Sequence, residues 1–199
     1  REACPSNWCV WLVFAVCSFL AISSLCIAED YTWVNSDGGT FGDSTNWNPE
    51  GVPGVDGNDI ARFTLSAAYT VTLDDYYTND TLYVDGGSEV TLDIDGHNYT
   101  LDYSPENSRS VVVGESGQGS LLINNGNIFS REVSIGQLTG SVGSLTLSGS
   151  AAQWTTNYNE GWHGVWLGEN GDAALSIQDN AGFSHGHGLS AFTTDSDAI

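Results

Sequence analysis

The chain has 199 residues, with 25 acidic and four basic side chains and a net charge of -21. Binding to nucleic acid and docking on anionic lipid both need clustered arginine and lysine, so this balance excludes the first and argues against the second. Hydrophobic residues make up 40% of the chain, which is enough to build a core, so the high charge does not predict disorder.

Residues 1–28 are predicted to be a helical signal peptide. The stretch from Trp8 to Ile22 is almost entirely apolar, and Cys26 and Ala28 occupy the -3 and -1 positions of a cleavage site after Ala28. The alternative is an uncleaved anchor, because the 21 residues from Trp8 to Ala28 are long enough to span a bilayer. The abrupt change to acidic sequence favours cleavage, so we expect export through the Sec pathway and a secreted or cell-surface location. Membrane contact is then expected only through this segment or through an anchor outside the sequence.

Residues 29–64 are predicted to form a cap module. Aromatic side chains stand among turn-forming Gly, Pro, Asn and Asp residues, which leaves no room for a long strand. These aromatic residues are Trp33, Phe41, Trp47 and Phe63. We interpret them as packing anchors that close one end of a stacked fold, because an open end exposes strand edges and apolar interior. Exposed rings that stack on carbohydrate are the functional alternative.

Residues 65–199 are predicted to form β repeats. Short runs alternate apolar with polar residues, as half-buried strands do, and Asp-Gly, Asn-Gly and Ser-Gly pairs between them favour turns. No amphipathic helix longer than two turns is predicted after residue 29. The chain is therefore expected to be all-β. The predicted strands contain Tyr69–Leu73, Leu82–Val84, Val90–Ile94, Tyr99–Tyr103, Val111–Val113, Leu121–Ile123, Val133–Ile135, Leu145–Leu147, Val165–Leu167 and Leu175–Ile177.

An internal repeat favours a parallel solenoid over an antiparallel sandwich. The segment that begins at Val113-Gly114 recurs 54 residues later at Leu167-Gly168, and a version longer by two residues begins at Ile135-Gly136. Apolar pairs recur about every 20 residues through much of the region, which is the order of length of one β-helix coil. Glycine suits the corners because it adopts positive φ without steric cost. The apolar pairs that follow the three glycines are Leu121 and Ile123, Leu145 and Leu147, and Leu175 and Ile177.

Two groups of motifs in residues 31–184 resemble exported solenoid proteins. The first resembles the module that opens many large secreted bacterial β-solenoid proteins, and consists of Trp33, Gly39–Phe41, Asn46-Trp47, Gly51–Gly54, Asp59 and Phe63. The second is similar to PEP-CTERM-associated, autotransporter-passenger-like repeats, and consists of Val111–Gly114 with Gly119–Leu121, Ser134–Gly136 with Gly143–Ser150 and Trp154-Thr155, and Val165–Gly168 with Leu175–Ile177. The resemblance implies an extracellular right-handed parallel β-helix of adhesive or structural type, without catalytic residues to carry over. The same hand is favoured by parallel crossovers in general.

Two candidate constellations receive little weight. Asp74-Asp75 and His185–Ser190 resemble signatures of β-helical polygalacturonases, which need paired carboxylates about 6.5–9.5 Å apart. Asp75 and His187 are 112 residues apart, or about five coils, which places them about 20 Å apart along a stack. His163, His185 and His187 are a weak metal pattern without a carboxylate fixed nearby. We therefore predict no catalytic residue, no resident metal and no cofactor.

Weak calcium binding is the one ion interaction that the acidic turns favour. The turns are Asp85–Gly87 and Asp93–Asn98. The second resembles half of a calcium loop, but it lacks the third acid and the distal glutamate that complete an oxygen shell. If either turn binds calcium, we expect the ion to raise the melting temperature.

The remaining polar motifs predict little chemistry. Arg62, Arg109 and Arg131 are isolated in a negative field, which argues against lyase action on acidic sugars. Arg109 and Arg131 are expected to pair with nearby acids such as Glu106 or Glu132. Two triplets also fit the N-glycosylation pattern, Asn79–Thr81 and Asn98–Thr100.

The expected function is that of a non-catalytic extracellular or cell-surface solenoid, of adhesin, stalk or matrix type. Such a fold would present ladders of Thr, Ser, Asn and Asp on flat faces. Its expected partners are cell-surface glycans or matrix polysaccharide. One alternative is a polysaccharide-binding or glycan-cleaving β-helix whose active residues lie outside this sequence. Another is a calcium-dependent assembly module.

Overall fold

The computed structural model describes residues 28–54, 57–101, 109–156, 164–185 and 189–191. These residues form strands and turns, with a single turn of 3₁₀ helix at Ser44–Asn46 that Asp43 caps by accepting the N–H of Thr45. The prediction of an all-β protein is confirmed. The predicted signal peptide lies outside the described residues apart from Ala28. Within the described part, no helix is long and apolar enough to cross a membrane.

The strands of the described residues form three sheets. Sheet A contains β1 (Asp30–Trp33), β3 (Trp47–Asn48), β4 (Ile60–Phe63), β7 (Thr81–Val84), β10 (Val111–Val113), β13 (Val133–Ile135), β16 (Val165–Leu167) and β19 (Leu189–Ala191). Sheet B contains β2 (Gly39–Thr40), β5 (Ala68–Thr72), β8 (Ser88–Asp93), β11 (Gln118–Asn124), β14 (Val142–Ser148) and β17 (Asp172–Gln178). Sheet C contains β6 (Tyr77–Asn79), β9 (Asn98–Leu101), β12 (Asn127–Ser130), β15 (Gln153–Thr156) and β18 (Gly182–His185).

Successive strands along the chain enter different sheets. From β4 onward each sheet takes every third strand, so three consecutive strands such as β7, β8 and β9 make one repeat. Among the described residues every strand pairing is parallel except that of β1 with β3. Parallel neighbours cannot be joined by two-residue hairpins, so the antiparallel sandwich is excluded.

The glycine repeat read from the sequence is confirmed by the strand register. Val113, Ile135 and Leu167 are neighbours across sheet A. The glycines that follow them all have positive φ, with Gly114 at 70°, Gly136 at 69° and Gly168 at 63°. The apolar pairs after these glycines are also neighbours, across sheet B.

The repeat length differs from the expected 20 or so residues. Paired residues are 22 apart from Val113 to Ile135, but 29 apart from Val84 to Val113 and 32 apart from Ile135 to Leu167. In the longer repeats, more residues connect the sheet C strand to the following sheet A strand. This connection can lengthen without changing the length or pairing of the strands.

The core is formed by side chains that stack from repeat to repeat. Val71, Leu92, Ile123 and Leu147 are in register on sheet B, and each is fully buried. Burial of such a side chain contributes about 1.5–3 kcal/mol, and here each residue is covered by its equivalents in the neighbouring strands. Ile177 continues the row on β17 and is 49% exposed, because the described part of the chain places no further strand over it.

The predicted cap aromatics lie in this core. Trp33, Phe41 and Phe63 are fully buried and Trp47 is 2% exposed. The Trp33 and Trp47 rings meet edge to face at 5.0 Å, and the Phe41 and Trp47 rings do so at 4.9 Å. Both indole N–H groups are satisfied, since Trp33 donates to the carbonyl of Asn35 and Trp47 to that of Phe41. Their role as packing anchors is confirmed, and their burial excludes carbohydrate stacking on these rings.

Three tyrosines near the core resist ionisation. Burial raises the pKa of Tyr69 to about 12. Burial also raises the pKa of Tyr99, and burial together with the Asp74 carboxylate raises that of Tyr77. The unfolded chain releases tyrosine protons near pH 10, while the folded chain retains them. The resulting stabilisation is therefore complete below about pH 10 and is lost as pH rises towards about 12.

We expect Tyr99→Phe to stabilise the protein, most strongly at alkaline pH. The Tyr99 hydroxyl is buried and has no hydrogen-bond partner among the described residues, so its removal should add about 1 kcal/mol and raise the pH midpoint of alkaline unfolding. Circular dichroism and tyrosinate absorbance along a pH titration would measure both effects. Tyr76→Phe is the matched control, because Tyr76 is 64% exposed, and it should leave both unchanged. An equal effect of the two substitutions would contradict the prediction.

Candidate ligand-binding surface

The outer face of sheet B, defined here as the side chains of β5, β8, β11, β14 and β17 that point away from the core, carries three rows of small and polar residues. Buried and more exposed positions alternate along β5, β8, β11 and β14, as period-two strand geometry requires. This arrangement confirms the ladders predicted from the sequence. The rows are Ala68, Glu89, Ser120, Ser144 and Ala174; Thr70, Thr91, Leu122, Thr146 and Ser176; and Thr72, Asp93, Asn124, Ser148 and Gln178.

Two shallow depressions adjoin at the centre of this face. One has a volume of about 360 Å³ and lies over Thr70, Thr91 and Leu122. The other has a volume of about 210 Å³ and lies towards Val142. Glu89 and Ser120 line both depressions, and neither depression is lined by a basic residue. Ser120 contributes to the depressions because its side chain is short and its neighbour in the row, Glu89, is long.

Four polar side chains that line these depressions are not used within the described structure. The side chains of Thr70, Glu89, Thr91 and Ser120 make no hydrogen bond or ion pair with any described residue. In contrast, Asn127 donates from Nδ2 to Oδ1 of Asn98 across the outer face of sheet C at 2.9 Å. The hydroxyl groups of Thr70, Thr91 and Ser120 and the carboxylate of Glu89 can therefore bond to a ligand.

The outer side of sheet A has a different character, because its charged and aromatic groups contact one another. The Arg62 guanidinium lies 4.1 Å from the centre of the Tyr83 ring and pairs with Asp30 at 3.2 Å. Arg109 pairs with Glu169 at 2.6 Å, because parallel stacking brings residues 60 positions apart together. For Arg109 and Arg131 the sequence analysis expected nearby acids such as Glu106 or Glu132. Glu106 lies outside the described residues, so a pairing with it stays a prediction.

Among the described residues of the polygalacturonase-like motifs, Asp74 lies beside the strand at one edge of sheet C and His185 lies in the strand at the other edge. Asp74 accepts hydrogen bonds from the Gly42 N–H at 3.1 Å and from the Tyr77 hydroxyl at 2.8 Å, beside β6. His185 ends β18, and β6 and β18 are the two outermost strands of sheet C. Four strand spacings, or about 19 Å, separate β6 from β18. His163 and His187 lie outside the described residues.

The two acidic turns use their carboxylates to join neighbouring repeats. Asp85 accepts from the Ser116 N–H and hydroxyl at 3.1 and 3.0 Å, and from the Gly117 N–H at 2.9 Å. Asp93 Oδ1 accepts from the Asn125 amide at 3.1 Å. No group of three or more metal-binding side chains occurs among the described residues. The structure thus gives these aspartates a role in the fold, and calcium binding stays a prediction.

The two glycosylation triplets differ in accessibility. Asn79 is fully buried and donates from Nδ2 to the carbonyl of Asp59 at 3.3 Å, so its amide cannot accept a glycan in the folded chain. Asn98 is partly exposed, and its Oδ1 accepts from Asn127. Only the second triplet is accessible in the folded protein.

No protein-family model, curated protein or solved structure matches the chain. Membership of the exported solenoid family therefore rests on the motif residues alone and stays a prediction. The candidate surface depends on Glu89, Ser120 and Leu122, which the sequence analysis did not single out. Their signal was present, since each stands between buried positions of an alternating strand.

Proposed function

We propose that the chain is a right-handed parallel β-helix that serves as a non-catalytic extracellular or cell-surface element of adhesin, stalk or matrix type. The observation that carries this proposal is the register. From β4 onward each sheet takes every third strand, and equivalent residues of successive repeats lie side by side. A path that visits three sheets in turn and advances by one strand spacing supports a β-helix. We assign the right-handed sense of the coil from the strong preference of connections between parallel strands for right-handed crossovers.

This architecture suits a load-bearing or spacing role. Each repeat buries its apolar row only against its neighbours, so length grows without a change in cross-section. The net charge of -21 keeps copies apart and soluble. Export is supported by the apolar segment before Ala28 and by the resemblance of the glycine repeats to those of secreted solenoids. N-terminal sequencing of secreted material should then begin at Glu29.

A reducing-sugar assay tests the non-catalytic part of the proposal. The full chain is incubated with a panel of neutral and acidic polysaccharides, and we expect no release of reducing ends above the level of heat-denatured protein. Release from any polysaccharide would overturn the proposal in favour of a glycan-cleaving β-helix.

A further inference from the structure

We propose that the outer face of sheet B binds an extended neutral polysaccharide, with its centre at the two depressions that share Glu89 and Ser120. The inference rests on the proposed function, because it names the partner to which a stalk or adhesin of this kind attaches. It assigns binding to one face of the molecule and to one class of glycan.

The dimensions of the face fit a chain-like ligand rather than a small molecule. Five in-register strands, from β5 to β17, span four strand spacings, or about 19 Å. The two depressions adjoin along the direction that crosses the strands. The first extends from β5 to β11 and the second from β8 to β14. A ligand lying across the strands would therefore meet equivalent positions of successive repeats.

The chemistry of the face matches a sugar chain. Hydroxyl groups of Thr70, Thr91 and Ser120 can each donate and accept, and the Glu89 carboxylate accepts, as a polyhydroxylated ligand requires. Leu122 interrupts the middle row of hydroxyls with an apolar surface on which the C–H face of a sugar ring can be buried. None of these polar side chains is held by another described residue, so binding does not have to break an internal bond.

Charge restricts the glycan to the neutral class. The three rows contain Glu89 and Asp93 and no basic residue. The chain as a whole carries a charge of -21, so its field repels uronate, sulfate and phosphate groups. A neutral chain meets no such repulsion and can donate hydroxyl hydrogens to Glu89.

The outer face of sheet A is less suitable for the same ligand, and that of sheet C serves as the comparison. On sheet A, the Tyr83 ring face is covered by Arg62, and Arg109 contacts both Glu169 and the Trp166 ring. On sheet C, the in-register row Thr78, Thr100, Phe129, Thr155 and Ser184 has a composition close to that of the middle row of sheet B. Its third residue is a phenylalanine, 38% exposed, in place of Leu122. Sheet C therefore provides matched control positions.

Affinity electrophoresis of the full chain tests the proposal. Native gels would contain hydroxyethyl cellulose, galactomannan or dextran as neutral polysaccharides, or polygalacturonate as the acidic one. We expect retardation in at least one neutral gel and none in polygalacturonate. Thr91→Trp fills the larger depression and should weaken binding at least tenfold. Thr100→Trp, an equivalent change on sheet C of the same repeat, should alter binding less than twofold.

A second matched pair covers the case in which a tryptophan disturbs folding. Leu122→Ser removes the apolar contact on sheet B, and Phe129→Ser removes its counterpart on sheet C. Only the first should weaken binding, while circular dichroism melting verifies that both variants fold. Equal losses in the two members of a folded pair, or no retardation in any neutral gel, would overturn the proposal.

The reducing-sugar assay, run beside the binding gels, separates this inference from the proposed function. Reducing-end release would overturn the non-catalytic function, and the paired variants would still report whether sheet B is the binding face. Absence of binding without release would overturn the inference alone, and would leave the structural role intact.

Discussion

Replacement of Trp33 by alanine is expected to lower the free energy of unfolding by about 3–5 kcal/mol. Trp33 is fully buried where the chain enters the core, and its ring lies 5.0 Å from that of Trp47 and 5.8 Å from that of Phe63. Truncation removes these contacts and leaves a cavity. Paired strands hold the surrounding backbone apart, so the cavity cannot collapse fully. Urea denaturation followed by circular dichroism would measure the loss, since fluorescence changes with the tryptophan itself.

The adjacent residue provides the control for this experiment. Val34 is 47% exposed, and Val34→Ala should change the free energy of unfolding by less than about 0.5 kcal/mol. A similar cost for the two substitutions would show that the buried ring cluster does not stabilise this end of the fold, contrary to the interpretation of residues 29–64 as a cap.

Gly136→Ala is expected to destabilise the protein by about 2–5 kcal/mol. Its φ of 69° costs any L-residue about 1–2 kcal/mol. A Cβ at this position would also collide with the carbonyl oxygen of Asp172 in the next repeat, and such overpacking costs a further 1–3 kcal/mol or so. The expected loss therefore has a backbone part and a stacking part, which urea denaturation measures together.

Gly140→Ala isolates the backbone part. Gly140 has a φ of 82°, and a Cβ there would meet nothing within 4 Å. We expect a loss of about 1–2 kcal/mol for this variant, smaller than that of Gly136→Ala by at least about 1 kcal/mol. Equal losses would mean that the Asp172 segment shifts away without cost, and that close stacking of repeats is not what requires glycine at position 136.

Sheets A and B were largely predictable because their strands carry strong apolar alternation. Leu121, Leu145 and Leu175 could be aligned from sequence, and they are neighbours in the structure. Most of sheet C was not predicted. Strands such as Tyr77–Asn79 and Asn127–Ser130 are short and contain few apolar residues, and they acquire strand geometry only by pairing with the strands beside them.

The candidate surface was likewise predictable only in part. Alternation alone implies that Glu89, Thr91 and Leu122 point away from the core. Their approach to one another depends on the register between β8 and β11, whose paired residues are 31 positions apart in the sequence. The ion pair of Arg109 with Glu169 likewise joins residues 60 positions apart, which proximity in the sequence could not indicate.

The amino-acid sequence by itself determined the all-β class, the glycines at the corners of the repeats, the acidic character and the burial of the four cap aromatics. These features follow from local periodicity and side-chain chemistry. Only the tertiary structure decided the third sheet, the partners of Arg62 and Arg109 and the rows that form the depressions. These depend on which residues stack after connections of unequal length, and that register is selected by the fit of whole repeats rather than by any local pattern.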